Sequence, residues 1–405
     1  MRTRYGVSPW VHQFPDTRRP DFPRARGVVT ADVVIVGGGL TGCATAHACA
    51  AAGLKTIVLE AERIGQGSSG RGAGLLLPEP GPAFRDIVSA HGLRAARHAF
   101  ESWRKASLDA AALLKRLSIP CGLIPQDTLA AAWRDDGRLL RREHDAREAA
   151  GLGVAWLSRA QVQKLAPLDA SAGLKVRDGF ALDPYRACVG LARAAAKRRA
   201  RIFERSAART ITFSRKDVEV ATGESTVHAG TVVIATGSAT PEFRTLRRHF
   251  KRQEEYLVLT EPVPAAARKA MGMRGVTVSD TRIPGCRMRW TADDRMLIAG
   301  ADQDETAERT RDAVLVQRTG QLMYQLLMMY PAISGLKPEY GWERSYGQTA
   351  DGLMYIGPHR NFPNHLFALG GSGDSVTGAF LAARILVRAI QDSSEKADDV
   401  FSWAR

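Results

Sequence analysis

The segment from Asp32 to Glu60 constrains the fold more than any other part of the sequence. It contains an apolar strand, a Gly-x-Gly-x-x-Gly turn, an alanine-rich helix and a second apolar strand. Gly37 makes the tight turn, Gly39 lets the backbone approach a pyrophosphate, and Gly42 lets the helix pack closely on the strand. The helix N-terminus favours a diphosphate because its N–H groups are unpaired and its dipole is positive there. The segment therefore predicts a βαβ unit that binds a dinucleotide.

An acidic residue ends this unit. Glu60 lies 18 residues beyond Gly42, at the end of the second strand. A carboxylate at this place accepts hydrogen bonds from the ribose hydroxyls of an adenosine and repels a 2′-phosphate, which argues against NADP. A glycine run alone is weak evidence, because many such runs are only turns. The two flanking strands and the acidic end make dinucleotide binding the stronger interpretation.

The loop that follows indicates which dinucleotide binds. The stretch AERIGQGSSGRGAGLLLPEP is rich in glycine and serine and ends in prolines, so it is not a regular element. One interpretation is an exposed linker. We favour the alternative, in which the backbone and the hydroxyls of Ser68 and Ser69 wrap the ribityl chain and ring of a flavin.

Four segments resemble the D-amino-acid-oxidase-like FAD oxidoreductases, the superfamily of glycine, sarcosine and amino-acid oxidases. They span nearly the whole chain in the family's order. They are Asp32 to Leu77, Leu182 to Glu204, Thr231 to Thr240, and DGLMYIGPHRNFPNHLFALGGSGDSVTGAFLAARIL. The N-terminal YGVSPWVHQFP and the loop GSSGRGAG look most like the gamma-glutamylputrescine oxidoreductase branch. The FAD motifs are specific, whereas the substrate motifs are not.

The resemblance implies that five parts of the chain contact FAD. These are the first glycine turn, the Gly/Ser loop, Ala208 beside the adenine, the end of the strand TVVIATG, and the C-terminal glycine turn. The residues expected to bind FAD are Gly37, Gly39, Leu40, Thr41, Gly42, Glu60, Ala61, Arg63, Ser68, Ser69, Arg71, Gly72, Ala73, Gly74, Ala208, Thr236, Gly237, Gly371, Gly373, Asp374, Ser375, Val376 and Thr377. Some members link the flavin through a cysteine, but WERSYGQTADG has none. Non-covalent FAD is therefore expected, and Cys286 is interpreted as a buried small hydrophobe.

The C-terminal glycine turn has a different task from the first. The glycines from Gly370 to Gly373 lead into a helix near Ser375. Its amide end would point at the pyrimidine edge of the flavin, where it stabilises the negative charge of the reduced form. Asp374 departs from the neutral or weakly basic residue of relatives. It is either the N-cap of the helix, which we favour, or a charge that opposes reduction.

Length and motif order predict two interleaved domains. A chain of 405 residues exceeds what one hydrophobic core usually organises. We predict an α/β fold in which a Rossmann-like FAD-binding domain is interleaved with an α+β substrate domain on a mixed or antiparallel sheet. The predicted ranges are 1–27 for an N-terminal extension, 28–85, 184–245 and 346–405 for the FAD-binding domain, and 86–183 and 246–345 for the substrate domain.

Periodicity predicts the elements of the substrate domain. Helices are expected over Phe100 to Leu117, Leu139 to Ala150 and about Glu305 to Tyr330. Strands are expected around Thr128 to Trp133 and in EYLVLTEP, GVTVSD, GCRMRW and RMLIAGA. Together the strands should form a sheet that covers the flavin.

Candidate substrate contacts lie on these covering strands. Arg289 and Arg295 match two arginines of a family pattern resembling Arg-Pro-Thr-Pro-Asp-Gly-Arg, with Trp290 in place of the proline. Arg287 and Arg289 share one face because strand side chains alternate. The Arg289 guanidinium could clamp a substrate carboxylate, and an exposed edge arginine is the alternative. Tyr256 either closes over the substrate or packs into the sheet.

Two aromatic residues precede the last FAD segment. Trp342 and Tyr346 could line an aromatic cage for an amine. Tyr346 stands where many relatives carry arginine, so the resemblance does not extend the usual carboxylate clamp to this chain. We take Arg289, Tyr256 and Tyr346 as the candidate catalytic residues.

Composition excludes several other classes. The net charge is +15, but the Lys and Arg residues are spread along the chain with only short clusters such as KRRAR and RRHFKR. Neither cluster interleaves aromatics in a binding pattern, so we predict solvated faces and no nucleic-acid site. A basic field can also attract anionic substrates or redox partners. The N-terminus lacks a signal-like apolar stretch and no apolar run is long enough to span a bilayer, so we expect a cytoplasmic protein. The five scattered cysteines indicate neither a disulfide framework nor a zinc or other metal site.

The combined prediction is an FAD-dependent enzyme that oxidises the C–N bond of an amine or amino acid. Hydride transfer to the flavin gives an imine that water hydrolyses, and oxygen or another electron acceptor reoxidises the flavin. Such a reaction needs positioning more than acid–base groups. The alternatives are an FAD-dependent 2-hydroxy-acid or polyol dehydrogenase on the same scaffold, and a non-catalytic FAD-binding electron-transfer subunit. The oligomeric state, including a homo-oligomer, stays open.

Overall fold

Two large β-sheets organise the chain, which crosses between them several times. The computed structural model describes residues 2–133, 137–214, 216–280, 285–371 and 376–405. The strands of the two sheets follow each other along the chain in blocks. The mixed α/β fold class is confirmed, and the domain boundaries stay a proposal.

The first sheet, here called the nucleotide sheet, is built around the predicted βαβ unit. Gly27–Val36 lies parallel to Thr56–Leu59 on one side and to Ser225–Gly237 on the other. The central strands are buried on both faces, as is typical of parallel strands with continuous apolar runs. The other strands of this sheet are Arg201–Phe203, Thr210–Phe213, Val218–Ala221, Tyr355–His359 and Phe362–Leu369.

Helices cover one face of the nucleotide sheet. Leu40–Ala51 packs between Pro184–Lys197 and Val376–Ile390. Alanine and cysteine side chains of the first of these helices are fully buried there, because small side chains allow close helix packing. These helices fix the start of Leu40–Ala51 beside the end of Gly27–Val36, where the glycine turn lies.

The second sheet, here called the roof sheet, has nine strands within the described residues. From edge to edge these are Arg4–Tyr5, Pro338–Gln348, Lys251–Thr260, Met296–Asp304, Cys286–Trp290, Val276–Asp280, Asp127–Ala132, Ala172–Val176 and Ala155–Ser158. Two neighbouring pairs are parallel and the rest are antiparallel. Leu75–Leu76, Phe180–Ala181 and Ile124–Pro125 form a small third sheet. Along the sequence, its strands occur where the chain passes from one large sheet to the other.

The two faces of the roof sheet pack against different partners. Tyr256 and Val258 belong to a hydrophobic cluster with the helix Arg311–Met329. Their neighbours Leu257 and Leu259 belong to another cluster, which includes Ala73 and Leu75 of the Gly/Ser loop and Trp342. Because side chains alternate along a strand, the second face is the one that meets the nucleotide-binding half of the molecule.

The described helices agree with most of the predicted ones. The longest starts at Phe84, well before the predicted Phe100, and bends at Gly92, which has a φ of 81°. Its first turns bury few side chains, so their apolar periodicity is weak in the sequence. The helices are Pro9–His12, Leu40–Ala51, Phe84–Arg116, Gly137–Ala149, Arg159–Leu165, Pro184–Lys197, Ala265–Met271, Arg311–Met329 and Val376–Ile390. None of those in the described ranges combines the length and the apolar character needed to cross a bilayer.

Candidate cofactor and substrate site

A cavity of about 390 Å³ lies where the two sheets meet. Its walls include Val36, Leu59 and Ala235, close to the carboxyl ends of three parallel strands of the nucleotide sheet. Residues of the Gly/Ser loop and of the roof strand Pro338–Gln348 close it from the other side. In open α/β sheets ligands bind at the carboxyl ends of the strands. The cavity therefore lies where the sequence motif predicts a dinucleotide.

Glycines keep the floor of this cavity open. Gly37 has a φ of 107°, and a Cβ added there would lie 2.6 Å from the Ala235 carbonyl oxygen. A Cβ on Gly38 would lie 2.3 Å from Ile64 Cδ1, and one on Gly42 would lie 1.9 Å from the Gly37 carbonyl oxygen. The backbone contacts at Gly37 and Gly42 exclude any side chain, whereas the Gly38 contact is with the end of the Ile64 side chain. The backbone at the start of the helix is thus exposed to the cavity, and a cofactor phosphate fits this cradle.

The Gly/Ser loop binds the start of the same helix. Ser69 Oγ accepts a hydrogen bond of 2.8 Å from the Leu40 N–H, one of the amides without an intrahelical partner. Ser68 Oγ donates to the Ser345 carbonyl at 3.1 Å. Both serines line the cavity. The loop therefore connects the glycine turn to the roof strand across the cavity.

Glu60 is held in place by two backbone amides. Its Oε2 accepts from the Gly38 N–H at 2.6 Å and its Oε1 from the Glu62 N–H at 2.9 Å. Burial raises the pKa of Glu60, although these two hydrogen bonds act against the increase. The carboxylate lines the cavity and keeps free lone pairs for further donors. Binding of ribose hydroxyls at this residue stays a prediction.

Most of the predicted cofactor residues line the cavity. These are Gly37, Gly39, Leu40, Thr41, Glu60, Ala61, Ser68, Ser69, Gly72, Ala208, Thr236, Gly237, Gly371 and Val376. Six others are absent from the cavity wall, namely Gly42, Arg63, Arg71, Ala73, Gly74 and Thr377. Gly373, Asp374 and Ser375 lie outside the described residues.

Several residues outside the cavity wall stabilise the loop instead. Arg71 Nε donates to the Glu343 carbonyl at 2.7 Å, and its Nη2 donates to the Gly6 carbonyl at 3.0 Å. Thr377 Oγ1 donates to the Leu77 carbonyl at 2.7 Å. These two side chains hold the loop in place, and contact of the two residues with the cofactor stays a prediction.

Arg289 does not face the cavity, which corrects its predicted role as a carboxylate clamp. Its side chain is buried, and its Nε and Nη2 donate to the Ala73 carbonyl at 3.0 and 2.8 Å. Nη2 also donates to the Leu182 carbonyl at 3.2 Å. The guanidinium thus binds backbone carbonyls of two segments below the roof sheet, and its position is structural.

Tyr256 faces away from the cavity, which corrects its predicted closure over a substrate. The side chain is buried on the face that packs against Arg311–Met329. Its hydroxyl donates to Glu254 Oε2 at 2.9 Å, and burial raises its pKa to about 12. Trp342 is fully buried as well, and its indole N–H donates to the Arg71 carbonyl at 2.8 Å. Trp342 is therefore not available for the predicted aromatic cage with Tyr346.

Tyr346 is the candidate catalytic residue that does line the cavity. Its hydroxyl donates to Asp302 Oδ2 at 2.7 Å. Burial raises the pKa of Tyr346, and the neighbouring Asp302 carboxylate raises it further. The tyrosine is therefore neutral and presents its ring and hydroxyl to the cavity.

Next to Tyr346 lies a group of charged side chains that the sequence reasoning missed. Glu255 is fully buried and accepts from Arg287 Nη2 at 2.8 Å and from Arg344 Nε at 2.8 Å. Burial raises the pKa of Glu255, but Arg344 and Arg287 outweigh burial and lower it overall. Burial and Glu255 together raise the pKa of Asp302 to about 6. A charged residue inside the apolar strand EYLVLTEP was a usable signal, because a buried charge requires a partner.

Other cavity residues were also missed. They are mostly small residues beside the predicted ones, together with two arginines: Val36, Leu59, Gly65, Gly67, Ala207, Ala235, Ser238, Thr240, Arg252, Arg344, Ser345, Gly347, Met354 and Ala368. Gly370 of the predicted C-terminal glycine turn lines the cavity as well. Arg252 belongs to the cluster RRHFKR that was interpreted as a solvated face, and it pairs with Glu305 at 3.0 Å. All five cysteines lie in the described part of the chain, are buried and are absent from the cavity wall.

Comparisons with known proteins agree with this geometry. A family model described as FAD dependent oxidoreductase matches residues 32–389. A probable oxidoreductase OrdL of Haemophilus influenzae is 27% identical over 395 residues, which cover 94% of this chain and 88% of the relative. The gamma-glutamylputrescine oxidoreductase of Escherichia coli is 27% identical over 377 residues, which cover 91% and 86%. The crystal structure of glycine oxidase from Geobacillus kaustophilus has a TM-score of 0.77 at 20% identity and covers 93% of this chain and 99% of its own.

Proposed function

Because the chain belongs to the family of FAD-dependent oxidoreductases, we propose that it oxidises the C–N bond of a small-molecule amine or amino acid. When bound, FAD supplies the acceptor for a hydride from the carbon next to the nitrogen. The resulting imine is released as a carbonyl compound and an amine or ammonia after hydrolysis. Oxygen or another electron acceptor then completes the cycle. The relatives named as a gamma-glutamylputrescine oxidoreductase and a glycine oxidase support an amine or amino-acid substrate.

One observation carries this proposal more than the others. The same cavity is lined by Gly37 and Gly39 of the nucleotide motif and by Arg344 and Tyr346 of the roof sheet. A cofactor bound through its diphosphate at the glycine turn therefore extends towards a wall of polar side chains. Convergent polar groups in a cavity formed by two structural layers are typical of an enzyme site.

The chain contributes positioning and exclusion of water. Gly72 and Arg344 adjoin each other in the cavity, and a Cβ on Gly72 would lie 3.4 Å from Arg344 Nη1. The roof strand and the loop thereby leave a narrow space for a substrate beside the cofactor. Holding two reactants in such a space is itself a large part of catalysis. Non-covalent FAD is proposed because none of the five buried cysteines, all in the described ranges, lines the cavity.

An anaerobic substrate screen tests the proposal. The purified protein is saturated with FAD and mixed without oxygen with primary amines, secondary amines, amino acids including glycine, and 2-hydroxy acids. We expect an amine or amino acid to abolish the visible flavin absorbance, and air to restore it with hydrogen peroxide if oxygen is the acceptor. Reduction by a 2-hydroxy acid but by no amine or amino acid would contradict the proposal.

A further inference from the structure

The two carboxylates near Tyr346, those of Glu255 and Asp302, differ in how many of their hydrogen-bond acceptor positions are occupied. Glu255 is 0% exposed and holds both Arg287 and Arg344. Arg344 uses Nε and Nη2 on one carboxylate oxygen, at 2.8 and 2.5 Å. A buried ion pair of this kind is costly to break, because the remaining charge loses its partner in a place that water does not reach.

Asp302 is the contrasting group. It lies on the roof strand Met296–Asp304 and, in the described part of the chain, accepts one side-chain hydrogen bond, from Tyr346. Tyr346 lines the cavity, whereas Asp302 stands behind it, outside the cavity wall. A carboxylate has about four acceptor positions. Asp302 therefore retains acceptor capacity beside a tyrosine that lines the cavity, whereas Glu255 has its two oxygens engaged by arginines.

On this basis we propose that Asp302 and Tyr346 form a subsite for an ammonium group and that the cavity selects amines without a carboxylate on the reacting carbon. The carboxylate of Asp302 pairs with the cation and then accepts its proton, so that the amine is neutral when the neighbouring carbon gives up its hydride. The Tyr346 ring packs against the alkyl chain. The inference rests on the proposed amine oxidation and names its substrate class.

The arginines on this wall do not offer an α-carboxylate an equivalent position. Arg344, which lines the cavity, uses Nε and Nη2 on Glu255, and Arg287, which does not line it, pairs with the same carboxylate. An α-carboxylate would therefore meet guanidinium charge that Glu255 already offsets. A third arginine, Arg252, lines the cavity, but its side chain is 60% exposed and paired with Glu305. Solvent screens such a pair, so it holds an anion weakly.

Matched substrates provide the first test. Butylamine and 2-aminopentanoate differ only by the carboxylate on the reacting carbon. In anaerobic mixing with the FAD-bound protein, we expect the rate of flavin reduction by butylamine to exceed that by 2-aminopentanoate by about tenfold or more. Faster reduction by 2-aminopentanoate would overturn the inference.

Isothermal titration provides a readout that does not depend on turnover. Butylammonium should bind the Asp302→Asn variant about tenfold more weakly than the wild type, and benzoate should bind both alike. Asp304→Asn is the matched control, because Asp304 lies on the same strand but pairs with Lys251 and Gln253 and not with the cavity-lining Tyr346. Equal butylammonium affinity in wild type and Asp302→Asn would overturn the inference.

A gain of anion binding is the complementary test. Glu255→Gln removes the carboxylate between Arg287 and Arg344, so benzoate should bind this variant about tenfold more tightly than the wild type. If Glu255→Gln does not fold, the comparison of butylammonium binding between the wild type and Asp302→Asn still tests the subsite. If neither butylamine nor any amino acid reduces the flavin while Asp302→Asn still loses butylammonium binding, the proposed oxidation fails and the ammonium subsite stands. Tighter wild-type binding of benzoate than of butylammonium would reject the subsite.

Discussion

At the scale of single residues, Gly42 has the least room of any glycine in the nucleotide motif. A methyl group there would lie 1.9 Å from the Gly37 carbonyl oxygen, which belongs to the turn itself. The neighbouring backbone cannot yield without moving that turn. Packing density and cofactor geometry are therefore coupled at this one position.

Gly42→Ala should lower the stability of the protein and its FAD content together. Overpacking costs about 1–3 kcal/mol, and displacement of Gly37 alters the cradle for the diphosphate. Gly320→Ala is the control, since Gly320 lies in the helix Arg311–Met329 with nothing within 4 Å of an added Cβ. Thermal unfolding and bound-flavin absorbance measure both effects. A Gly42→Ala protein with wild-type FAD content would contradict the coupling.

The charge of Asp302 should make ammonium binding depend on pH. Its pKa is raised to about 6, first by burial and then by Glu255, while the Tyr346 hydrogen bond, Arg287 and Arg344 oppose the increase. The ionised carboxylate attracts a cation and the protonated one does not. Butylammonium affinity should therefore be full well above pH 6 and fall, by about tenfold in all, as the pH drops below 6 and Asp302 becomes protonated. Titrations at several pH values check this, and an equal pH dependence in Asp302→Asn would contradict it.

At the scale of elements, the two faces of the roof sheet pack against different parts of the molecule. One packs on the helix Arg311–Met329 and the other meets the cofactor half, where Arg289 binds the Ala73 and Leu182 carbonyls. Arg289 thereby holds the end of the Gly/Ser loop in place. Its effect on the cavity is indirect, through the loop.

Arg289→Met should therefore destabilise the protein without selecting between substrates. Loss of hydrogen bonds from a charged donor to buried carbonyls costs about 3 kcal/mol. Arg274→Met is the control, because the Arg274 side chain is 77% exposed. We expect a lower melting temperature and weaker FAD retention, with equal changes in KM for amines and for amino acids. An increase in KM confined to carboxylate-bearing substrates would instead support the original prediction that Arg289 binds the substrate carboxylate.

The sequence was sufficient for the nucleotide sheet because its signals are local. Gly37, Gly42 and Glu60 follow one another within a single βαβ unit, and their spacing specifies the turn, the packing and the acidic end. The roof sheet was harder to interpret. EYLVLTEP is apolar on both faces, so alternation did not reveal which way Tyr256 points. The partners of Arg289 lie 216 and 107 residues away, a distance that no local pattern spans.

At the scale of the whole molecule, the site exists only because two sheets meet. Strands that line the cavity come from sequence positions as distant as Val36 and Tyr346. A ligand that binds only the assembled structure stabilises it by mass action. A cofactor held by both halves should therefore protect both halves from local opening.

Hydrogen exchange with and without FAD tests this coupling. We expect FAD to slow amide exchange at the glycine turn around Leu40, in the Gly/Ser loop around Ser69, and in the roof strand around Ser345 and Tyr346. The exposed end of the roof sheet at Ala155–Ser158 serves as the internal control, because it is the strand farthest in sheet order from the cavity-lining strand Pro338–Gln348. Protection limited to the glycine turn and the loop would mean that the cofactor does not reach the roof. It would also remove Tyr346 and Asp302 from contact with the reacting end, since a substrate there must lie between the cofactor and the roof strand.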